Sequence, residues 1–359
     1  MSQIIYEGYK ELPMVLSNIG AKKLFLVCGR SYDKMELKDF IEQIDIEIVR
    51  FSDFSPNPLY EDICHGVDLF NKDKCDVILA VGGGSAIDVA KCIKLFCRMD
   101  HSKNYLDQEM ADSGFPLIAL PTTAGTGSES TRHAVIYYKG EKQSIFHDSI
   151  LPDYAILDPS VLKNLPLYHK KCSMLDALCQ AIESWWSVNS NDESKIYSRI
   201  AVDIICKYWK EYIFDNTELA AKNILYAANY SGRAINITAT TAAHAMSYKL
   251  TSLYHIAHGH AVAICLPIVW NYMLEHIDDC IDPRGRDYLQ SIFNEIEQYI
   301  NETYFRKLLY EMDIAYPISE NRVKDIELLT KSVNPVRLKN TPVALNSEVL
   351  HNMYERIVR

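Results

Sequence analysis

No Cys-x-x-Cys pair occurs in this chain of 359 residues, and no apolar run approaches the roughly twenty residues that a bilayer-spanning helix needs. The first absence matters because there are ten cysteines. Most of them, among them Cys28, Cys92, Cys179, Cys206 and Cys265, fall inside apolar strand or helix patterns, as reduced core thiols do. An excess of basic charge is missing too. Lys and Arg number 37 against 47 Asp and Glu, a net charge of -10, which argues against a nucleic-acid or anionic-membrane partner. Any phosphate-bearing ligand must then meet locally concentrated donors. The stretch Met1 to Glu7 lacks the basic-then-apolar build of a signal peptide, so a cytoplasmic location is expected. Internal repeats and low-complexity tracts are absent. What remains is an ordinary globular mix, 48% hydrophobic and 23% charged, long enough for two domains.

Along the first part of the chain, strand and helix alternate. Lys23 to Gly29, Ile46 to Phe51, Val77 to Val81 and Pro116 to Pro121 read as strands. Met35 to Gln43, Leu59 to Asn71 and Ile87 to Phe96 read as helices between them, and Ser52 to Pro58 as a loop. This alternation predicts a parallel sheet covered on both faces, an α/β domain over residues 1–164. From residue 165 to 359 the pattern becomes helical throughout. Cys172 to Trp186, Ser194 to Tyr212, Leu219 to Ile235 and Thr240 to Tyr254 carry apolar residues at helical spacing. One continuous helix is expected through much of Tyr288 to Met312, and a short one from Ser347.

Three stretches carry chemistry. The first is Thr240 to Ala261, where four of the eleven histidines fall within seventeen residues among small and apolar neighbours. A lone buried histidine is usually hydrogen-bonded core. Here a predicted helix upstream carries Asp176 and Gln180 four apart, on one face, and a carboxylate and imidazoles converging from separate helices can hold a divalent metal. The second is Gly82-Gly83-Gly84-Ser85, which follows the third predicted strand and opens a helix carrying Asp88 and Lys91. Consecutive glycines let backbone N–H groups approach a diphosphate at the positive end of a helix. The third, Pro121 to Glu129, offers Thr122, Thr123, Thr126 and Ser128 between glycines after the next strand. Two such loops at successive strand ends are where a nucleotide is expected.

Together with Pro56-Asn57-Pro58, Asp158-Pro159, Asp176 to Glu183 and His244 to Gly259, these motifs resemble the iron-containing (group III) alcohol dehydrogenase superfamily, in family order over most of the chain. The resemblance implies the dehydroquinate synthase-like fold, with a dinucleotide domain and an all-α metal- and substrate-binding domain. It implies NADH or NADPH as cofactor, a divalent metal (Fe²⁺, or alternatively Zn²⁺), interconversion of alcohols with aldehydes or ketones, and a homodimer. The family's metal ligands fall on Asp176, His244 and His258. The remaining one falls on Gln180, where histidine is usual, and an amide oxygen is a weaker donor. Tyr248 stands where many members have a further histidine near the substrate. Many NAD-preferring relatives place an Asp four residues before Pro56-Asn57-Pro58, where it repels a 2′-phosphate; this chain has Ser52, which predicts that NADPH is accepted.

The strings Ser128 to Arg132, Lys142-Gln143-Ser144, Asp176 to Gln180, Trp186 to Asn189 and Ser247-Tyr248 are similar to the phosphonoacetaldehyde reductase (2-hydroxyethylphosphonate dehydrogenase) branch. That resemblance implies reduction of a small aldehyde bearing a phosphonate, with Arg132, Arg233 and Lys249 as candidate cations for it. Lys142 is counted with the cofactor residues, and Tyr248 and His260 are the candidate proton donors. Three other readings stay open: a dehydrogenase of an ordinary short alcohol, diol or polyol, a lyase of the dehydroquinate synthase type, and a nucleotide-binding protein without metal.

Overall fold

The computed structural model describes residues 3–359, and the chain divides into two compact units between Leu165 and Pro166. The first unit runs β1 (Ile4–Glu7), α1 (Leu12–Ile19), β2 (Lys23–Cys28), α2 (Leu37–Glu42), β3 (Glu47–Phe51), α3 (Tyr60–Lys72), β4 (Val77–Gly82), α4 (Gly84–Phe96), β5 (Leu117–Pro121), β6 (His133–Tyr138), β7 (Glu141–Phe146) and β8 (Tyr154–Leu157). Six of these strands form one sheet in the order β1-β8-β5-β4-β2-β3, every neighbour parallel. β6 and β7 pair as a separate antiparallel hairpin.

Alternation along the strands explains the two-sided burial. Phe25, Val27, Ile78 and Ala80 pack on one face with Ile63, Val67, Ile87 and Phe96 of α3 and α4. Leu24, Leu26, Leu79 and Val81 pack on the other with Leu12, Val15, Leu37 and Ile41 of α1 and α2. A parallel sheet needs both coats, because its strands are apolar on both sides. The strand order reverses between β2 and β4, and ligands of open α/β sheets bind in the crevice outside the carboxyl ends at such a reversal. The loops after β3, β4 and β5 all lie at those ends.

Four short strands depart from the sequence reading. β1 and β8 have four residues each, too few to show a period, and β1 makes the glycine triplet follow the fourth strand rather than the third. β6 alternates buried Ala134 and Ile136 with half-buried neighbours, and β7 is mostly polar, with Ile145 its one buried residue.

The second unit is helical: α5 (Leu167–Trp186), α6 (Asp192–Lys210), α7 (Glu218–Thr238), α8 (Ala242–Tyr254), α9 (His258–Glu275), α10 (Arg286–Glu297), α11 (Glu302–Glu311), α12 (Arg322–Ser332), α13 (Pro335–Leu338) and α14 (Ser347–Ile357). Residues 174–186 of α5 are all buried, which makes it the central helix of this unit. It nevertheless buries Asp176, Gln180, Glu183 and Ser184, and each has a polar partner, as buried polar groups require. The single helix expected from Tyr288 to Met312 is instead α10 and α11. Asn301 breaks it by accepting from the Tyr304 backbone N–H at 2.8 Å, a side-chain cap that starts a new helix. Among the described residues no helix is long and apolar enough to cross a membrane, and all ten cysteines are unpaired.

Candidate active site

Within the second unit, α5 supplies Asp176, α8 supplies His244 and α9 supplies His258. Each offers a ligand atom, and the three atoms lie within 4.8 Å of one another. Both imidazoles turn Nε2 toward Asp176 Oδ1, at 3.3 Å from His244 and 3.9 Å from His258. Nδ1 of His244 meets Glu183 Oε2, and Nδ1 of His258 lies 3.5 Å from Ser247 Oγ. An imidazole that gives its Nδ1 proton to a carboxylate keeps its Nε2 lone pair for a metal. Burial by itself pushes the His244 imidazolium down, but the charge of Glu183, with Asp176 beside it, overrides burial and raises its pKa to about 9.

Local sequence makes this convergence possible. His255 takes a left-handed conformation (φ 53°) that ends α8, and α9 starts three residues later at His258. The next residue must be glycine. A Cβ at Gly259 would sit 1.9 Å from the Cys172 carbonyl oxygen and 2.9 Å from Asp176 Cβ, so α9 meets the backbone of α5 only without one. Glu183 then fixes the start of α8. Its Oε1 accepts from the backbone N–H groups of Thr241 (3.2 Å), Ala243 (3.0 Å) and His244 (3.4 Å), and from Thr241 Oγ1 at 2.6 Å. A carboxylate there satisfies amides that the helix cannot pair and meets its positive end.

The cluster is open on one side. Asp176 and His244 side chains are 4% exposed, whereas His258 is 37% exposed. On that side the Tyr248 ring, one turn after His244, lies parallel to the His258 ring with centroids 5.6 Å apart. Its hydroxyl accepts from Arg337 Nη1 at 2.6 Å. A buried carboxylate with two inward Nε2 atoms and an open face is a donor set that suits Fe²⁺ or Zn²⁺ with a place left for substrate.

The first unit holds the loops read as a phosphate cradle. Gly82 closes β4, Gly83 precedes α4, and Gly84 begins it. A Cβ on Gly82 would lie 2.6 Å from Ala86 Cβ, and one on Gly84 would lie 3.0 Å from Thr126 Cγ2. The glycine turn and the Thr122–Thr126 loop are thus already side by side, with Thr123 against Gly83. Ser85 Oγ donates to the Pro56 carbonyl, which ties this turn to the Pro56-Asn57-Pro58 loop. Three loops at the carboxyl ends of β3, β4 and β5 therefore meet, with the first turn of α4 facing them. Ser52 follows β3 directly.

In comparison with known proteins, residues 3–159 match the model of the iron-containing alcohol dehydrogenases, and residues 171–358 match that of the C-terminal part of the Fe-containing alcohol dehydrogenase family. The chain belongs to the iron-containing alcohol dehydrogenase family. It is 29% identical to long-chain-alcohol dehydrogenase 1 of Geobacillus thermodenitrificans, over 94% of this chain and 92% of that protein. It is 32% identical to the phosphonoacetaldehyde reductase of Streptomyces viridochromogenes, over 66% of this chain and 63% of that protein. The crystal structure of sulfoacetaldehyde reductase from Bifidobacterium kashiwanohense in complex with NAD⁺ superposes with a TM-score of 0.87 at 26% identity, covering 99% of this chain and 96% of that one. As a member of this family the chain is an enzyme, an oxidoreductase of the alcohol dehydrogenase type.

Several expected site residues of this iron-containing alcohol dehydrogenase take other places in the structure. Gln180, one turn after Asp176, turns Oε1 to the Ser231 hydroxyl on α7, which donates at 3.0 Å. His260 has both ring nitrogens engaged, Nδ1 with the Tyr168 hydroxyl of α5 at 3.0 Å and Nε2 with the Ala315 carbonyl at 2.8 Å. The three candidate cations lie on separate elements. Arg132 pairs with Asp148 at 2.7 Å and lies over Phe146 on the β6–β7 hairpin. Arg233 lies over the rings of Tyr197 and Tyr230 between α6 and α7. Lys249 is partly buried on α8, and no contact puts it at the cluster.

In the first unit, Asp88 and Ser128 share a hydrogen-bond network with Lys91. The Ser128 hydroxyl donates to Asp88 at 2.7 Å and accepts from Lys91 at 3.0 Å, while Lys91 also reaches Thr131 Oγ1 and the His133 carbonyl. Burial raises the Asp88 carboxyl, opposed first by Lys91 and also by Lys142 from β7, and burial lowers the Lys91 ammonium to about 8. This network fastens α4 to the loop and the hairpin. Two residues at the metal cluster escape the sequence reading. Glu183 was visible as a carboxylate on an apolar helix, seven residues after Asp176 and so on its face. Arg337 carries no sequence signal, since 89 residues separate it from Tyr248.

Proposed function

We propose that the chain is a metal-dependent, NAD(P)H-linked reductase of a small aldehyde that carries an anionic group, with phosphonoacetaldehyde going to 2-hydroxyethylphosphonate as the leading case. The observation that carries this reading is the convergence of Asp176, His244 and His258 with one open side at His258. The likeness to a phosphonoacetaldehyde reductase and to a sulfoacetaldehyde reductase supports the substrate class.

When bound, a divalent metal supplies Lewis acidity to the carbonyl oxygen and the nicotinamide supplies the hydride. Asp176, His244 and His258 would hold the metal, and the second lone pair of the Gln180 amide oxygen would be the remaining donor. Glu183 keeps the Nε2 lone pair of His244 turned inward. Tyr248, whose ring lies parallel to His258, is the candidate proton donor, and burial raises its pKa, so its hydroxyl keeps the proton at neutral pH. In the nucleotide domain Gly82, Gly83, Gly84 and Ser85, with Thr122, Thr123 and Thr126, receive the diphosphate. Asn57 and Ser52 flank the ribose end, where Ser52 leaves NADPH acceptable. The reading carries with it a homodimer in the cytoplasm, with no nucleic-acid or membrane partner.

A second reading, a dehydrogenase of uncharged alcohols, is favoured by the long-chain-alcohol dehydrogenase relative, which matches nearly the whole chain. Metal analysis of protein purified without chelator tests the site itself. One bound Fe or Zn per chain is expected. His244→Ala and His258→Ala should each lose it together with turnover while still binding nucleotide, whose loops lie in the other unit. Gln180→His should raise metal retention. Full aldehyde reduction by metal-free protein would refute the reading.

A further inference from the structure

We propose that Arg337 is the specificity residue of this enzyme, receiving the anionic end of the aldehyde at the open side of the metal cluster. The proposal rests on the reductase reading above and deepens it. Arg337 lies on α13, the short helix Pro335–Leu338, far in sequence from every motif. Its Nη1 donates to Tyr248 Oη at 2.6 Å, and its guanidinium carbon stands 4.8 Å from the centroid of that ring. The same ring lies parallel to His258, at 4° between planes. The Tyr248 ring therefore contacts both a permanent positive charge and the exposed His258 imidazole.

The segment bearing Arg337 is fixed at that place. Asn340 takes the Val188 backbone N–H on its carbonyl at 3.1 Å and the Asn189 amide on Oδ1 at 2.9 Å. Its own Nδ2 donates to the Thr240 carbonyl at 3.1 Å, two residues before α8 begins. The turn after α5, the start of α8 and the end of α13 are thus bound to one another, and they bracket the ring that leads from His258 to Arg337. The Thr240 side chain also hydrogen-bonds the Tyr248 hydroxyl.

The chemistry of this arrangement selects charge. A carbonyl held at the cluster on the His258 side directs the rest of a short substrate along Tyr248, whose far end is the guanidinium. An apolar tail there would strip water from a cation and return nothing. A phosphonate or sulfonate matches it, because a planar guanidinium meets two oxyanion oxygens with parallel N–H donors.

The test compares three aldehydes of similar shape on metal-loaded enzyme: phosphonoacetaldehyde, sulfoacetaldehyde and the neutral isostere 3,3-dimethylbutanal. In Arg337→Gln the ratio of kcat/KM for either anion over the neutral isostere should fall by roughly ten- to hundredfold, the worth of one charge-assisted contact. Arg337→Lys, which keeps the charge and loses the fork, should fall between. Which anion the wild-type enzyme prefers tells phosphonate from sulfonate. A direct measurement runs alongside: calorimetric binding of 2-hydroxyethylphosphonate and of 2-hydroxyethanesulfonate to both proteins, with loss of binding in Arg337→Gln expected. Equal loss for charged and neutral aldehydes, or unchanged ratios, overturns the proposal, as does equal binding of the alcohols. If no aldehyde is reduced at all, the reductase reading fails, and the calorimetric arm still decides on Arg337.

Discussion

Glu183 grips His244 by both ends: its Oε2 meets the ring Nδ1, and its Oε1 accepts from the His244 backbone N–H. One carboxylate therefore sets the imidazole's orientation and the start of the helix that carries it. Glu183→Gln keeps the size of the side chain but removes the charge that draws the Nδ1 proton. Metal affinity should fall roughly 10- to 100-fold, as it does when such a partner is lost. Titration of chelator-stripped protein with Zn²⁺ checks this, and wild-type affinity in the variant would show that Glu183 serves the helix alone.

Gly259 makes a steric prediction. Alanine there must displace either α9 or the Cys172 carbonyl, since its Cβ would otherwise overlap that oxygen. Overpacking of a tight core costs roughly 1–3 kcal/mol. Gly259→Ala should therefore lower the melting temperature and, because His258 is the adjacent residue, bind metal poorly. A variant with normal stability and metal content would mean that α9 has more freedom than the contact with α5 suggests.

Lys91 is fully buried and reaches Ser128, Thr131 and the His133 carbonyl, while Asp88 shares the Ser128 hydroxyl. Lys91→Met leaves the Ser128 and Thr131 hydroxyls and the His133 carbonyl without their buried donor, a loss of roughly 1–3 kcal/mol. Chemical denaturation should show this destabilisation, with a smaller effect on nucleotide affinity measured at low denaturant. The reverse pattern, normal stability with lost nucleotide binding, would return Asp88 and Ser128 to the cofactor site.

Much of this architecture can be read from the residues, and the exceptions have physical causes. Val77 to Val81 is an apolar run bounded by glycine, so β4 and its turn are visible. Ile4 to Glu7 is too short to show any period, and only pairing with β8 makes it a strand. The break between α10 and α11 is easily missed because Leu289, Ile292, Phe293, Ile296 and Ile300 on one side, and Phe305 and Leu308 on the other, are buried at helical spacing, and only the five-residue step from Ile300 to Phe305 marks it. His244 and His258 stand out by their apolar surroundings. His260 adjoins them in sequence, yet residues two apart on a helix do not face the same way, and its ring nitrogens meet Tyr168 and Ala315. Arg337 could not be read at all: its place at Tyr248 is purely tertiary.

On the proposed reading cofactor choice turns on Ser52, immediately after β3. A serine can donate to a 2′-phosphate, whereas a carboxylate at this position repels it. NADPH should be used at least as well as NADH, and Ser52→Asp should shift the kcat/KM ratio toward NADH by roughly tenfold or more. Steady-state kinetics with both cofactors decide the matter. Poor use of NADPH by the wild-type enzyme would point instead to Asp53, the next residue.

The central claim is tested most directly by following NADH and NADPH absorbance while the enzyme meets phosphonoacetaldehyde, first as purified, then after chelation, then with Fe²⁺ or Zn²⁺ restored. The account predicts oxidation of the reduced nucleotide that disappears with the chelator, returns with the metal, and is absent from His258→Ala at every stage. Oxidation indifferent to chelation, or none with any aldehyde in metal-loaded protein that binds the nucleotide, would contradict it.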